Sequence, residues 1–344
     1  VGAGFVSESK RVRNFSNWAY WRLHLDAVAD RDPCPVESLD TKFAFWEERA
    51  REHLEISLGP SPLPVALDIE ITESLDCGAY SRERVVFDTE STMAVPAFLL
   101  MPHARREQDP GPAVLAIHGH GAGKSVICGV DGDGAGEDYA HVLATAGYVV
   151  LAPDLRGFGE RADWMPPDKY HCDWDLVCAT MAGVVPLGRN LWDLQRALDA
   201  LSARPEVDPD RVGVAGFSYG ATCALFLAAV DERVRLAVVS GFLSSWRAAH
   251  TVPWNMCGSQ VMPGQLGLFE HLDIAALAGP RALLVESGAQ DLIFPVDAAR
   301  TTVDALRRVY DFLGAPADAL VHDVFDGEHE WHGAQMLEFM GRWL

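Results

Sequence analysis

Between residues 211 and 220 an apolar run containing Val212, Val214 and Ala215 stops at Gly216-Phe217-Ser218-Tyr219-Gly220. Residues 221–229, free of Gly and Pro, then follow. A strand, a tight turn and a buried helix satisfy both halves of this pattern. A serine at the apex of such a turn takes up a strained backbone conformation, and the flanking glycines let strand and helix pack closely. The turn lifts the Ser218 hydroxyl clear of the sheet, where it can attack a carbonyl.

The same alternation extends through the chain. Strands are expected over 113–117, 148–152, 212–215, 236–239, 282–286 and 320–325, with helices over 138–146, 191–202, 296–313 and from about 333. Repeated β-α units require an α/β fold with a mostly parallel sheet and helices on both faces, and ligands then sit beyond the C-terminal strand ends. Before them, residues 66–101 show a period of two (Leu67, Ile69, Ile71; Val85, Phe87; Val95, Ala97, Leu99), which predicts antiparallel edge strands. Residues 1–65 read as a helical extension with Phe15, Trp18, Trp21, Phe43, Phe45 and Trp46, closed by a Pro-rich connector at 59–64. These helices are expected to pack on the main domain or to form a homodimer contact; overhanging a pocket is the alternative.

Two further strand ends carry titratable side chains. Gly288-Ala289-Gln290-Asp291 follows the strand at 282–286, and Asp326-Gly327-Glu328-His329 follows the last one. The chain order Ser218, Asp291, His329 suits a nucleophile, the acid that orients the base, and the base itself. Asp323, Asp326 and Glu286 are rivals for the acid, and His332 and His322 for the base. Asp291 alone follows a strand and a Gly turn, and a loop apex lets His329 swing toward Ser218. A metal cluster of His329, Glu330 and His332 is too compact for the HExxH spacing.

The loop His118-Gly119-His120-Gly121-Ala122-Gly123-Lys124-Ser125 ends like a phosphate loop, yet it has His118 where that motif needs its leading glycine. As an oxyanion loop it would aim the His120 N–H at the developing charge, with the Tyr219 N–H as second donor and His118 as an orienting residue.

A net charge of −21, without a Lys/Arg cluster interleaved with aromatics, excludes nucleic acid and anionic membranes as expected partners. The seven cysteines are scattered and form no CxxC pair, as expected of reduced thiols in a cytosol rather than a disulfide framework or zinc site. The chain begins at Val1 with no initiator Met and no basic-then-apolar signal segment; a cytoplasmic location is expected.

His118-Gly119-His120-Gly121, the segment 152–160 (APDLRGFGE), Gly216-Phe217-Ser218-Tyr219-Gly220, Gly288 with Asp291 and Pro295, and Gly327 with His329 together resemble the α/β-hydrolase superfamily over residues 95–344. Within it the chain is most similar to the branch of dienelactone-hydrolase-like proteins and acetylxylan-esterase-like esterases. The resemblance implies a serine hydrolase that needs no cofactor and acts on carboxylic esters. Dienelactone hydrolases proper carry a cysteine where this chain has Ser218, which argues against dienelactone as substrate.

Two inserts, at 161–188 and 242–269, are long enough to be lids or pocket walls. Trp164, His171 and Trp174 in the first, and His250 and Trp254 in the second, are the candidate substrate-binding residues, and their chemistry suits a small or medium apolar or aromatic substrate. The expected activity is ester hydrolysis through an acyl-enzyme. A C–C bond hydrolase on the same triad and a non-catalytic small-molecule binder are the alternatives.

Overall fold

The structure is a computed structural model that describes residues 13–28, 32–105, 109–130, 136–166, 170–251 and 257–344. Its strands are β1 (Glu70–Asp76), β2 (Tyr80–Glu90), β3 (Met93–Pro102), β4 (Gly111–Ile117), β5 (Val149–Pro153), β6 (Val207–Phe217), β7 (Val234–Ser240), β8 (Ala282–Gly288) and β9 (Leu320–Phe325). They form one sheet in the order β1-β2-β3-β5-β4-β6-β7-β8-β9. The pairs joining β1, β2, β3 and β5 are antiparallel, and every later pair is parallel. The helices, in chain order, are α1 (Asn17–Ala27), α2 (Leu39–Leu58), α3 (Lys124–Ile127), α4 (Tyr139–Thr145), α5 (His171–Ala182), α6 (Pro186–Ser202), α7 (Tyr219–Val230), α8 (Trp246–Ala249), α9 (His271–Ala278), α10 (Val296–Phe312) and α11 (Met336–Trp343).

The central strands are apolar throughout because both of their faces are covered. Along β4, Ala113, Leu115 and Ile117 join an apolar cluster with α6, α7 and α9. Val114 and Ala116 point the other way, into a second cluster with α4 and α11. The expected α/β fold with helices on both faces is therefore what the chain adopts.

Several elements differ in extent from those expected: β6 runs from Val207, five residues before the expected start, and α11 begins at Met336. Helix α6 begins at Pro186, five residues before the expected start, because a proline fits the first helical turn, where its missing N–H is no loss. Of the period-of-two residues Leu67, Ile69 and Ile71, only Ile71 lies in β1, which begins at Glu70; all seven residues of the strand are exposed, since among the described residues it pairs with β2 alone at the sheet edge.

Helix α2 buries Phe43, Trp46, Ala50 and Leu54 on the body, one stripe at helical spacing. Arg51 donates to the Ala229 and Leu277 carbonyls, 3.0 Å each, at the C-terminal ends of α7 and α9, where a cation complements the unpaired carbonyls. Gly188 makes room for this packing: a Cβ there would lie 2.1 Å from the Leu58 carbonyl oxygen. By contrast, α1 buries no residue and exposes Trp18, Tyr20, Trp21 and Leu23. It is tied down by Arg247, which donates to the Leu25 and Val28 carbonyls. No helix among the described residues is long and apolar enough to cross a membrane.

Candidate active site

Ser218 sits between β6 and α7 with φ 53° and ψ −116°, a left-handed conformation that non-glycine residues adopt at a cost of about 1–3 kcal/mol. The two elbow glycines have no room for a side chain. A Cβ on Gly216 would lie 2.2 Å from the Gly220 carbonyl oxygen, and one on Gly220 would lie 1.9 Å from that of Ile117. The Ser218 N–H donates to the Ser240 carbonyl on β7 at 2.9 Å, which pins the elbow to the sheet.

His329 follows β9 and crosses above the end of β8. The crossing depends on Gly288, whose Cβ would otherwise stand 2.0 Å from the Glu328 carbonyl oxygen. His329 Nε2 is 3.0 Å from Ser218 Oγ, and its Nδ1 is 2.8 Å from Asp291 Oδ2. The other Asp291 oxygen accepts from the N–H groups of Ile293 (2.7 Å) and Phe294 (2.9 Å), so the carboxylate is fixed before it meets the imidazole. The rings of Phe217 and Phe294 flank His329, with centroids 4.9 and 5.6 Å away.

The rivals lie elsewhere. His332 stacks on Phe325 with its Nε2 3.6 Å from Asp323, and His322 reaches Ser287 Oγ at 3.1 Å. Glu286 is buried and accepts from the Gly333 N–H, while Asp326 holds Gln290. Burial raises the Glu286 carboxyl above its ordinary range.

The glycine loop after β4 lies against the elbow, since a Cβ on Gly119 would be 3.3 Å from Ser218 Cβ. His120 follows in this loop, and Tyr219 opens α7, where a helix leaves its first N–H groups unpaired. Buried His118 accepts from the Leu155 N–H at 3.0 Å through Nε2, and its Nδ1 is 2.6 Å from the Gly119 carbonyl oxygen, so it ties the loop to the end of β5. Burial lowers its pKa and favours the neutral ring this arrangement uses.

Lys124, which completed the apparent phosphate-loop ending, is 2% exposed and spends its charge inside the protein. Its Nζ contacts Asp154 Oδ2 at 2.5 Å and Glu160 Oε1 at 2.6 Å, and Asp154 also accepts the Lys124 N–H. Removing one partner of a buried pair strands the other charge. Lys124→Met is therefore expected to lower the unfolding free energy by about 3–5 kcal/mol in urea titrations, with part of the loss recovered in K124M/D154N.

Beside it, Asp193 receives Arg156 and Arg161. Burial alone would raise this carboxyl, but the two guanidinium groups hold it below its ordinary range.

The candidate substrate contacts divide by insert. Trp164 and Trp174 are 84% and 58% exposed, and His171 is half-buried with its Cβ against Gly157. His250 is buried, its Nε2 3.4 Å from Gln260 Oε1 and its ring edge-on to Trp246, and burial pushes its pKa down to about 4. With Trp246, His24 and Met262 it lines an apolar cavity of about 360 Å³ beneath α1. Trp254 lies outside the described residues.

One grouping has no counterpart in the spacing of the sequence. The loop residue His120, Cys172 on α5 and Cys257 from the second insert converge beside Tyr219, with His120 Nε2 3.0 Å from Cys257 Sγ. A hydrogen bond from Cys257, and then one from His120, hold the Cys172 thiol well below its usual range, while the same contact raises Cys257.

The sequence profile described as the Abhydrolase family matches residues 37–343. The Bacillus subtilis protein YtaP is 28% identical over 245 residues, 68% of this chain and 77% of that one. Among solved structures, a glucuronoyl esterase from Solibacter usitatus superposes with a TM-score of 0.66 at 17% identity, covering 91% of this chain and 94% of its own. Acetyl xylan esterase 1 from Thermoanaerobacterium sp. gives 0.60 at 20% identity, covering 93% and 98%.

Proposed function

From the premise that this chain belongs to the Abhydrolase family, we propose that it is a serine esterase that cleaves a carboxylic ester of small or medium size through an acyl-enzyme. The contact chain from Ser218 Oγ through His329 to Asp291 carries this reading.

Neutral His329 takes the Ser218 proton on Nε2 as Oγ attacks the ester carbonyl, and Asp291 holds the Nδ1 proton and stabilises the imidazolium. The N–H groups of Tyr219 and His120 receive the oxyanion; one such donor is worth about 2.7–4 kcal/mol of barrier. His329 then returns the proton to the departing alcohol. A water molecule, deprotonated by the same nitrogen, frees the acid and restores Ser218.

Two of the structural neighbours are named glucuronoyl esterase and acetyl xylan esterase, and the exposed rings of Trp164, Tyr170 and Trp174 offer flat apolar faces on the first insert. Such faces suit a ring in the alcohol or acyl part, either a sugar or an aromatic ring. A fluorophosphonate probe is expected to label Ser218 stoichiometrically, and p-nitrophenyl acetate to be turned over. Labelling without turnover of any ester, paired with cleavage of a β-diketone, would assign the triad to C–C bonds. No labelling would leave a binding protein.

A further inference from the structure

We propose that His120, Cys172 and Cys257 form a binding site for a thiophilic divalent cation, zinc in the first instance, at the junction of the two inserts and the glycine loop. The two thiols and one imidazole place Sγ, Sγ and Nε2 within 4.8 Å of one another. Zinc binds sulfur at about 2.3 Å and nitrogen at about 2.0–2.1 Å, which at tetrahedral angles sets such ligands about 3.6 Å apart; the 4.8 Å limit of the group and the 3.0 Å between His120 Nε2 and Cys257 Sγ bracket that spacing, so the latter pair has only to part by about half an ångström to admit the ion. A donor set of two thiolates and an imidazole selects zinc over magnesium or calcium, which take oxygen.

The site is held from all sides. His120 is packed edge-on to Phe158 and tilted over Tyr219, with centroids 5.6 and 5.2 Å away, and this aims Nε2 at Cys257. Cys172 lies in the first turn of α5, a helix packed so tightly on the turn after Cys257 that a Cβ on Gly258 would be 2.7 Å from Leu176 Cβ. Small movements of the three side chains therefore suffice to close around an ion. Three protein ligands leave a fourth position for water or another donor, unlike the closed four-ligand sites of zinc fingers.

The three ligands come from three separate segments, so a bound ion would clamp the first insert and the Cys257 segment onto the loop that holds His120. Binding itself does not depend on the esterase reading and is tested apart from it. Reduced, metal-free protein titrated with Co²⁺ is expected to bind one equivalent with a thiolate-to-cobalt charge-transfer band, which Zn²⁺ then bleaches.

Cys172→Ser and Cys257→Ser should each weaken Co²⁺ binding by more than about 100-fold, since loss of a group that merely orients a ligand already costs about 10- to 100-fold. Should either variant fail to fold, the unmodified chain still decides the matter. Zn²⁺ must protect Cys172 and Cys257, and not the other five cysteines, from iodoacetamide in peptide maps.

Absence of the band in reduced protein overturns the proposal, as does a band that survives in C172S/C257S. A Cys172–Cys257 disulfide in air-exposed protein whose reduced form takes up no cobalt would show a redox pair in place of a metal site, and would equally overturn it.

Discussion

Ser218→Ala is expected to lower kcat on a p-nitrophenyl ester by about 10⁶-fold, the scale of loss when the nucleophile of another serine hydrolase is removed. The reasoning is geometric. Ser218 Oγ lies 3.0 Å from His329 Nε2, and its position is enforced by two glycines that tolerate no side chain. Alanine keeps the Cβ and the same backbone demand, so fold and thermal midpoint should change little. Turnover within about 100-fold of the starting enzyme, measured with active-site titration to exclude contamination, would remove Ser218 from the chemistry.

Asp291→Asn is expected to lower kcat by about 10⁴-fold with binding of substrate largely retained. Asparagine can still accept from Ile293 and Phe294 through its oxygen, so the backbone around it should hold. Its amide then faces His329 Nδ1 as a donor, which forces the imidazole into the tautomer with its proton on Nε2. That nitrogen can no longer take the Ser218 proton. A kcat within tenfold of the parent enzyme, with the protein folded by circular dichroism, would mean that another group orients His329.

Much of this site is written locally in the chain. A strand followed by a glycine turn and a titratable residue places Ser218, Asp291 and His329 at one rim wherever the sheet is parallel, so alternation and three short motifs were enough to bring them together. The glycines at 216, 220 and 288 are explained by close approach of backbone. Legibility ends where a side chain's role depends on partners from distant segments.

Lys124 reads as the end of a glycine loop until Asp154 and Glu160 are seen to surround it. Cys172 and Cys257 read as isolated thiols because neither has a neighbour at metal-ligand spacing, and only the packing of α5 on the second insert joins them to His120. The start of α6 is hard to read for a local reason, since Pro186 punctuates a sequence whether it ends one element or begins another.

The exposed position of β1 has a consequence for how these molecules behave in company. As the outermost strand among the described residues it leaves one edge of the sheet open, together with the apolar side chains Ile71 and Leu75, and an open edge of this kind invites a strand from a neighbouring polypeptide. Glu70, Glu73 and Asp76 stud the same strand, and a break in its register between Ile71 and Glu73 spoils its straightness. Like-charged carboxylates on two such edges repel on approach, and a kinked ribbon cannot be copied over any length. The rim of the sheet thereby protects the protein from aggregating through it.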